Sequence, residues 1–408
     1  MNILHTVESY LPSRHGMQEV VTKLSESLVT KGHEVTIATS YNAERKDNII
    51  NGVKIVGFKI KGNVVTGIAG EIDEYQSFLK SEKFDVVTNF AAQQWATDLM
   101  LPILSEVHAK KVFVPTGFSA LGNPLYDQYF ENMKTWLKGY DANVFLSDNY
   151  RDINFARKNG IQALEIIPNG ASKEEFENVE FVDIRELLNV PPDAKLVLTV
   201  GSHTGYKGHS AAIKIFEQAR IKNSVLLIVG NVTTKGGCIV RGLKGIADLL
   251  GLKRSNCSLS CHFSAGVLNL NNNIKVRIKQ LSRSQTVNAY KQADIFLFPS
   301  LIECSPIVLF EALAGKTPFL VSNVGNSEEI IRWTKGGKML PTQIDNSGLS
   351  LVDINDSALM LKTFINSKTE MNECADLGHE AFLNQFTWEK IADRYQELYT
   401  RLISDKLN

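Results

Sequence analysis

The sequence predicts an α/β protein made of two doubly wound domains. Three observations predict it. Short apolar runs bounded by Gly, Pro or polar clusters alternate with amphipathic helical segments, the rhythm of βαβ units on a parallel sheet. That rhythm runs from Met1, pauses at the acidic, weakly patterned Glu174–Glu186, and restarts at Lys195. The length of 408 residues exceeds one ordinary domain and suits two, and 44% hydrophobic residues can fill two cores. We place the domains at 1–175 and 176–385, with a last helix in 386–408.

Composition narrows the class. Lys+Arg and Asp+Glu are 44 each, for a formal net charge of zero, so no strong field points to nucleic acid. The start, MNILHTVESYLP, lacks a basic leader with a long apolar region, which argues against a signal peptide. No apolar run is long enough to span a bilayer. Five cysteines, an odd number in a large chain, fit a reducing cytoplasm.

Met1–Thr6 reads as the first strand. Gly16 then precedes a helical pattern of Val20, Val21, Leu24, Leu28 and Val29, which Gly32 ends before a strand at Glu34–Thr39. Strand, Gly loop, helix, strand is a Rossmann-type unit, but without G-x-G-x-x-G it is not a dinucleotide site. Val53–Phe58 and Phe84–Phe90 follow as strands around a polar helix near Glu71–Glu82. Gln94–Val107 reads as a helix kinked at Pro102, and Lys111–Pro115 as a strand ending in PTGFSALG. Tyr126–Tyr140 carries Tyr126, Tyr129, Phe130, Met133, Trp136, Leu137 and Tyr140 on one broad face. That face reads as core, with a lipid or lipid-linked acceptor as the alternative. Ala142–Ser147 is a strand, Asp148–Asn159 a helix, and Ile166–Gly170 reads IIPNG; Glu174–Glu186 is taken as the linker.

In the second half Lys195–Gly201 is a strand, followed by SHTGYKGH and a helix from Ser210. A glycine loop with Lys207 at a helix start suits a phosphate, and His203 and His209 flank it as further candidates. Val225–Asn231 is a strand; the irregular Thr233–Asn273 looks like an insertion. Cys238, Cys257, Cys261 and His262 could bind zinc by residue type, but C-x3-C-H is a poor ligand spacing, so reduced thiols are expected. Ile274–Gln280, Ile295–Pro299, Pro318–Ser322 and Gly336–Met339 are further strands, and Ser284–Gln292 and Ser327–Trp333 are helices. Helices are also expected near Ser357–Asn366, Lys368–Asn384 and Trp388–Ile403.

The most informative stretch is PSLIECSPIVLFE, Pro299–Glu311. It reads as a loop entering a helix, with Ser305 as N-cap and Pro306 at the first helical position. The helix is apolar all round except for Glu311, and a buried carboxylate needs a partner. Glu303 lies in the loop before it. The helix start between the two acids offers the free N–H groups of Ile307 and Val308 and a positive dipole end. An acid, an anion site and a second acid match the sugar, diphosphate and ribose of a nucleotide diphosphate-sugar.

Glu303-x7-Glu311 followed by ALAGKTPFLVSNVGNSEEII resembles the donor site of retaining glycosyltransferases of family four. The resemblance is strongest from Gln285 to Gly337, and ECSPIVLFEALA and GNSEEIIRW resemble bacterial members that build surface polysaccharides. It implies the GT-B fold, two Rossmann-like domains facing across a cleft, with the C-terminal helix crossing back to the first domain. It implies transfer of a hexose from a UDP- or GDP-type donor to a glycan or lipid-linked acceptor, with retention. Carried onto this chain, Gly16, Lys207, Ser305, Ile307 and Val308 would face the donor phosphates. Glu303, Thr116 and Gly325 would face the sugar, and Glu311 the ribose. Glu303 and Lys207 are the catalytic candidates. Two positions depart from the family: Ser202 stands where an Arg is usual, and Thr116-Gly117 where a His is usual. No D-x-D is present, so a metal-independent reaction with no cofactor is expected. Cytoplasmic location is expected, with peripheral contact at the inner face of the cell membrane as an option. The alternative is a non-catalytic GT-B subunit binding a nucleotide or glycan, which the two departures favour and the Glu303–Glu311 pair opposes. An epimerase or phosphorylase on the same fold would need acid/base or cofactor-lysine signatures, and neither is seen.

Overall fold

The computed structural model describes residues 1–12, 16–81, 83–231, 257–269 and 275–404. The chain divides into two compact units: Met1–Gly170 with Thr387–Asn408, and Ala171–Phe386.

The first unit is built on an eight-stranded sheet. Its strands are β1 (Asn2–Thr6), β2 (Glu34–Ser40), β3 (Ile49–Ile50), β4 (Val53–Phe58), β7 (Val86–Phe90), β8 (Lys110–Val114), β9 (Ala142–Phe145) and β10 (Leu164–Ile166). The spatial order is β10-β9-β8-β7-β1-β2-β4-β3, and every pair is parallel except β3 with β4. A hairpin, β5 (Ile60–Asn63) with β6 (Gly67–Gly70), adds a separate ribbon that sequence periodicity did not signal. The order reverses between β1 and β7, where the carboxyl-end loops leave in opposite directions. In doubly wound sheets such a crevice is where ligands bind.

The helix Trp388–Ser404 belongs to this first unit. Its Ile391, Tyr395, Leu398 and Tyr399 are buried. The Tyr399 hydroxyl shares a 2.7 Å hydrogen bond with Thr88, and Lys31 pairs with Asp393 at 2.5 Å.

Three local readings change. Gln94–Val107 is not one helix: a short helix Trp95–Asp98 is followed by a 3-10 stretch Leu101–Glu106, with Ile103 at non-helical angles beside Pro102. A proline ring clashes with the preceding turn and removes a donor. The aromatic helix shortens to Asp127–Trp136, and its Tyr129, Phe130 and Met133 are buried in the unit's core, so this face is taken up by packing rather than left for lipid. Glu174–Glu186 is not an unstructured linker. It forms helices Lys173–Glu177 and Ile184–Leu187, capped by Ser172 and Asp183, which drive Phe176 and Ile184 into the second unit's core. The acidic surface hid these two anchors from a composition-based reading.

Among the described residues the second unit has a sheet of six parallel strands: β11 (Lys195–Val200), β12 (Ser224–Val229), β13 (Lys275–Lys279), β14 (Ile295–Phe298), β15 (Phe319–Val321) and β16 (Gly337–Met339). Their order is β13-β12-β11-β14-β15-β16. Side chains alternate between two cores. Leu196, Leu198, Phe296, Phe298, Phe319 and Val321 enter one, while Val197, Ile295, Leu297 and Leu320 enter the other. Burial on both faces explains why these strands read as continuous apolar runs. A small hairpin, β17 (Thr342–Ile344) with β18 (Ser350–Val352), follows.

Candidate active site

In the second unit the strand order reverses between β11 and β14, which are hydrogen-bonded neighbours. The loops leaving their carboxyl ends therefore emerge side by side, and they are the two loops that carry Lys207 and Glu303. They are stitched together: Tyr206 O accepts from Leu301 N at 2.8 Å and from the Ser300 hydroxyl at 3.0 Å. Gly208 makes the approach possible. It has φ +70°, and a Cβ there would lie 1.8 Å from the Pro299 carbonyl oxygen. No other residue fits both the backbone angle and the space.

Across this seam the Lys207 ammonium donates to both Glu303 oxygens, at 2.7 and 3.0 Å, and the Ser300 hydroxyl, its one proton shared between Tyr206 O and Glu303 Oε1, lies 2.7 Å from the latter. The sequence places these residues about a hundred positions apart; the sheet order brings them into contact. Behind Glu303 the helix Ile307–Ala314 begins. Pro306, not Ser305, holds the N-cap position, so Ser305 is not the cap. Its hydroxyl instead accepts from Asn326 Nδ2 at 3.1 Å, tying the loop to the next one. Ile307 and Val308 are the first two helical residues, where amides lack a carbonyl one turn back. Gly325 has φ +53°, and a Cβ would meet the Cys304 carbonyl oxygen at 2.2 Å, so that loop can lie directly on Glu303–Cys304. Asn326 N donates to the same carbonyl at 3.0 Å.

Glu311 is buried, with its side chain 8% exposed, and Arg283 Nη1 meets it at 2.5 Å. The other edge of Arg283 grips Glu175 through two bonds, Nε to Oε1 at 2.9 Å and Nη2 to Oε2 at 2.6 Å. Burial, and then the Glu311 charge, hold the nearby Tyr290 phenol well above its ordinary pKa. Sequence reasoning asked for a partner to Glu311 but did not find Arg283. A signal was present. Ser282 and Gln285 form a capping box, which fixes Arg283 as the first residue of helix Arg283–Gln292.

His203 and His209 do not serve as open phosphate contacts. Both are buried, and their Nδ1 atoms face each other at 3.1 Å. Cys257 Sγ lies 3.5 Å from the first and 3.8 Å from the second. Cys261 lowers the Cys257 thiol pKa by hydrogen bonding and is itself raised by Cys257. Burial lowers that of His209. His262 is turned to the Ser258 carbonyl at 2.7 Å, and Cys238 lies outside the described residues. Ser202 is half-buried at the start of the same loop. A cavity of about 380 Å³ at the carboxyl end of helix Ile307–Ala314 is lined in part by Phe176, Lys316 and His379.

In the first unit Gly16 opens the helix Gly16–Thr30 after β1 and is exposed. Thr116 follows β8 with φ +59°, an unusual angle for a β-branched residue. Ala91, Gln93 and Phe118 share positive φ at the same sheet edge. Such strain gathers where ligands are held. Asp152 braces the Thr116 turn by accepting from Gly117 N at 2.8 Å, and burial raises its carboxyl to about 6. At the β1/β7 reversal, Glu8 N donates to Gln94 Oε1 at 2.9 Å.

Comparisons with known proteins bear on the family and the fold. Residues 181–347 match the family described as Glycosyl transferases group 1, and residues 14–175 match Glycosyltransferase Family 4. An uncharacterised glycosyltransferase of Methanocaldococcus jannaschii is 25% identical, over 77% of this chain and 78% of its own. The lipopolysaccharide 1,2-N-acetylglucosaminetransferase of Salmonella typhimurium is 23% identical, over 63% of this chain and 61% of its own. Anabaena HepE, solved in complex with UDP-glucose, superposes with a TM-score of 0.70 at 12% identity, over 98% of this chain and 100% of its own. Two parallel-sheet units, each matching one half of the family's architecture, place this chain among the group 1 glycosyltransferases of GT-B fold.

Proposed function

We propose that this glycosyltransferase moves a hexose from a UDP- or GDP-type sugar to a glycan or lipid-linked acceptor, with retention, in cell-surface polysaccharide assembly. The observation that carries the reading is the Lys207–Glu303 pair at the β11/β14 reversal, in front of a helix N-terminus. Lys207 and the Ile307 and Val308 amides would stabilise charge growing on the leaving diphosphate, which makes a divalent ion or cofactor there unnecessary. Preorganised donors of this kind commonly supply the largest catalytic term. Glu303 would hold sugar hydroxyls, with Gly325 letting backbone approach, and Glu311 with Arg283 would frame the ribose. Gly16 and Thr116 are proposed as the first unit's contacts to phosphate and sugar. The lipopolysaccharide-related name of the Salmonella relative supports the pathway. Work on a lipid-linked acceptor would take place at the inner face of the cell membrane; among the described residues no helix is long and apolar enough to cross it.

The second reading, a non-catalytic binding subunit, rests on Ser202 and Thr116 in place of the family's Arg and His. A thermal-shift panel of UDP, GDP, ADP and their sugars, on wild type and Glu311→Ala, tests the donor site that the first reading requires, and release of nucleoside diphosphate from the sugar that binds separates the two readings. A shift of about 2.7 kcal/mol equivalent is expected at a hundred times Kd for one base, and it should be lost in the variant. No shift with any nucleotide overturns the donor site, and an equal shift in the variant overturns the ribose assignment.

A further inference from the structure

We infer that the second unit contains a zinc site made by His203, His209 and Cys257, distinct from the groups proposed to touch the donor. Zinc binds imidazole nitrogen at about 2.0–2.1 Å and thiolate sulfur at about 2.3 Å, in a tetrahedron. Tetrahedral angles then set ligand separations of about 3.3 Å between two nitrogens and about 3.5 Å between nitrogen and sulfur. The observed Nδ1–Nδ1 separation is 3.1 Å, and the two Nδ1–Sγ separations are 3.5 and 3.8 Å. Three ligand atoms from two separate places in the sequence thus converge at zinc spacing, and all three residues are buried.

Hydrogen bonding alone explains this arrangement poorly. Two Nδ1 atoms facing each other need one proton between them, and the sulfur is left to share it. The two Nε2 atoms are buried and have no hydrogen-bond partner among the described residues. No hydrogen bond among the described residues therefore fixes either ring from its Nε2 side. Nitrogen and sulfur ligands in a tetrahedral array favour zinc over magnesium or calcium, which take oxygen. Cys261 lies one helical turn after Cys257 and in contact with its thiol, but only His203, His209 and Cys257 bring their ligand atoms together. Its Sγ is also within 3.8 Å of the Ser210 hydroxyl.

The placement gives the site a role. His203 and His209 bracket the loop that carries Lys207 and Gly208, while Cys257 begins the helix Ser258–Asn269. Zinc would fasten that loop to that helix, holding Lys207 at the β11/β14 reversal without touching substrate. The sequence alone pointed elsewhere. Cys257, Cys261 and His262 have poor ligand spacing by themselves, and the two histidines come from a loop about fifty residues away.

The test uses the full chain, stripped with a chelator and kept reduced. Cobalt(II), a spectroscopic stand-in for zinc, is titrated into it. One equivalent should give a saturating sulfur-to-cobalt charge-transfer band with tetrahedral d–d absorption, displaced by zinc. Cys257→Ser should lose the charge-transfer band and weaken binding by more than about a hundredfold, beyond what loss of an outer-shell partner costs. Chelation should also lower the wild-type melting temperature, and zinc should restore it. Two results would overturn the site: a folded wild-type chain with no stoichiometric band, or a variant that binds as tightly as wild type. If Cys257→Ser does not fold, the wild-type titration and the zinc-dependent melting shift decide alone.

Discussion

Replacing Glu303 with glutamine separates the two charges proposed to act on the donor. The carboxylate takes the Lys207 ammonium at 2.7 and 3.0 Å and the Ser300 hydroxyl at 2.7 Å. The Lys207 side chain is 30% exposed and that of Glu303 11%, so the pair lies between a surface ion pair and a buried one. Its worth is then about 1–2 kcal/mol. A diphosphate that recruits Lys207 must displace or share this interaction. Glutamine fills the same space but frees the ammonium, so the nucleoside diphosphate should bind more tightly, by up to about tenfold. Turnover should move the other way. A neutral amide is a weaker acceptor for sugar hydroxyls and offers no charge to the transition state, so kcat should fall about 10²–10³-fold. Steady-state kinetics on the donor, with calorimetric Kd for the nucleotide, read both quantities. Weaker nucleotide binding with unchanged kcat would refute the division of roles between Lys207 and Glu303.

Three further outcomes test the structural account. Arg283→Ala leaves Glu311 buried without its cation and should cost about 3–5 kcal/mol in denaturant unfolding. Adding Glu311→Gln should recover much of that loss, and a loss under 1 kcal/mol in the single variant would mean the pair is not buried as described. Gly208→Ala should destabilise the second unit by at least about 1–2 kcal/mol from the left-handed angle alone, before the contact with Pro299 O is counted, and an unchanged melting temperature contradicts that loop geometry. His5, sealed between Ser25 and Tyr399, has its pKa lowered by burial to about 3. Below pH 6.5 the unfolded chain takes a proton that the folded chain refuses, so His5 removes about 1.4 kcal/mol of stability per pH unit as pH falls towards 3. The stability of His5→Asn should therefore fall less steeply than wild type between pH 6.5 and 5, and parallel slopes would show that His5 titrates normally.

The parts legible in the sequence were those whose signal is local. The strands of the second unit are buried on both faces, so KLVLTV and SVLLIV stand out as apolar runs. The helix Ile307–Ala314 was legible because a single acid interrupts an apolar surface. What was not legible depends on strand order. Nothing near Lys207 in the chain says that it meets Glu303; the adjacency of β11 and β14 does. Arg283 was missed for the same reason, since its two acids lie on either side of it in sequence and come together only through packing. Ser305 was misread because its hydroxyl serves Asn326, a residue a whole βα unit later. Phe176 and Ile184 were obscured by the charged residues around them, although each sits in a helix with a good cap.

On the proposed function, the β11/β14 reversal would hold a diphosphate on Lys207 and the start of helix Ile307–Ala314. The most direct test is calorimetric titration of wild type and Lys207→Met with the nucleoside diphosphate and with its monophosphate. Wild type should prefer the diphosphate by at least about tenfold, since Lys207 alone should contribute a charge-assisted contact of about 1.5–3 kcal/mol. Lys207→Met should lose most of that preference while keeping its affinity for the monophosphate. Equal preference for the diphosphate in both proteins would contradict it.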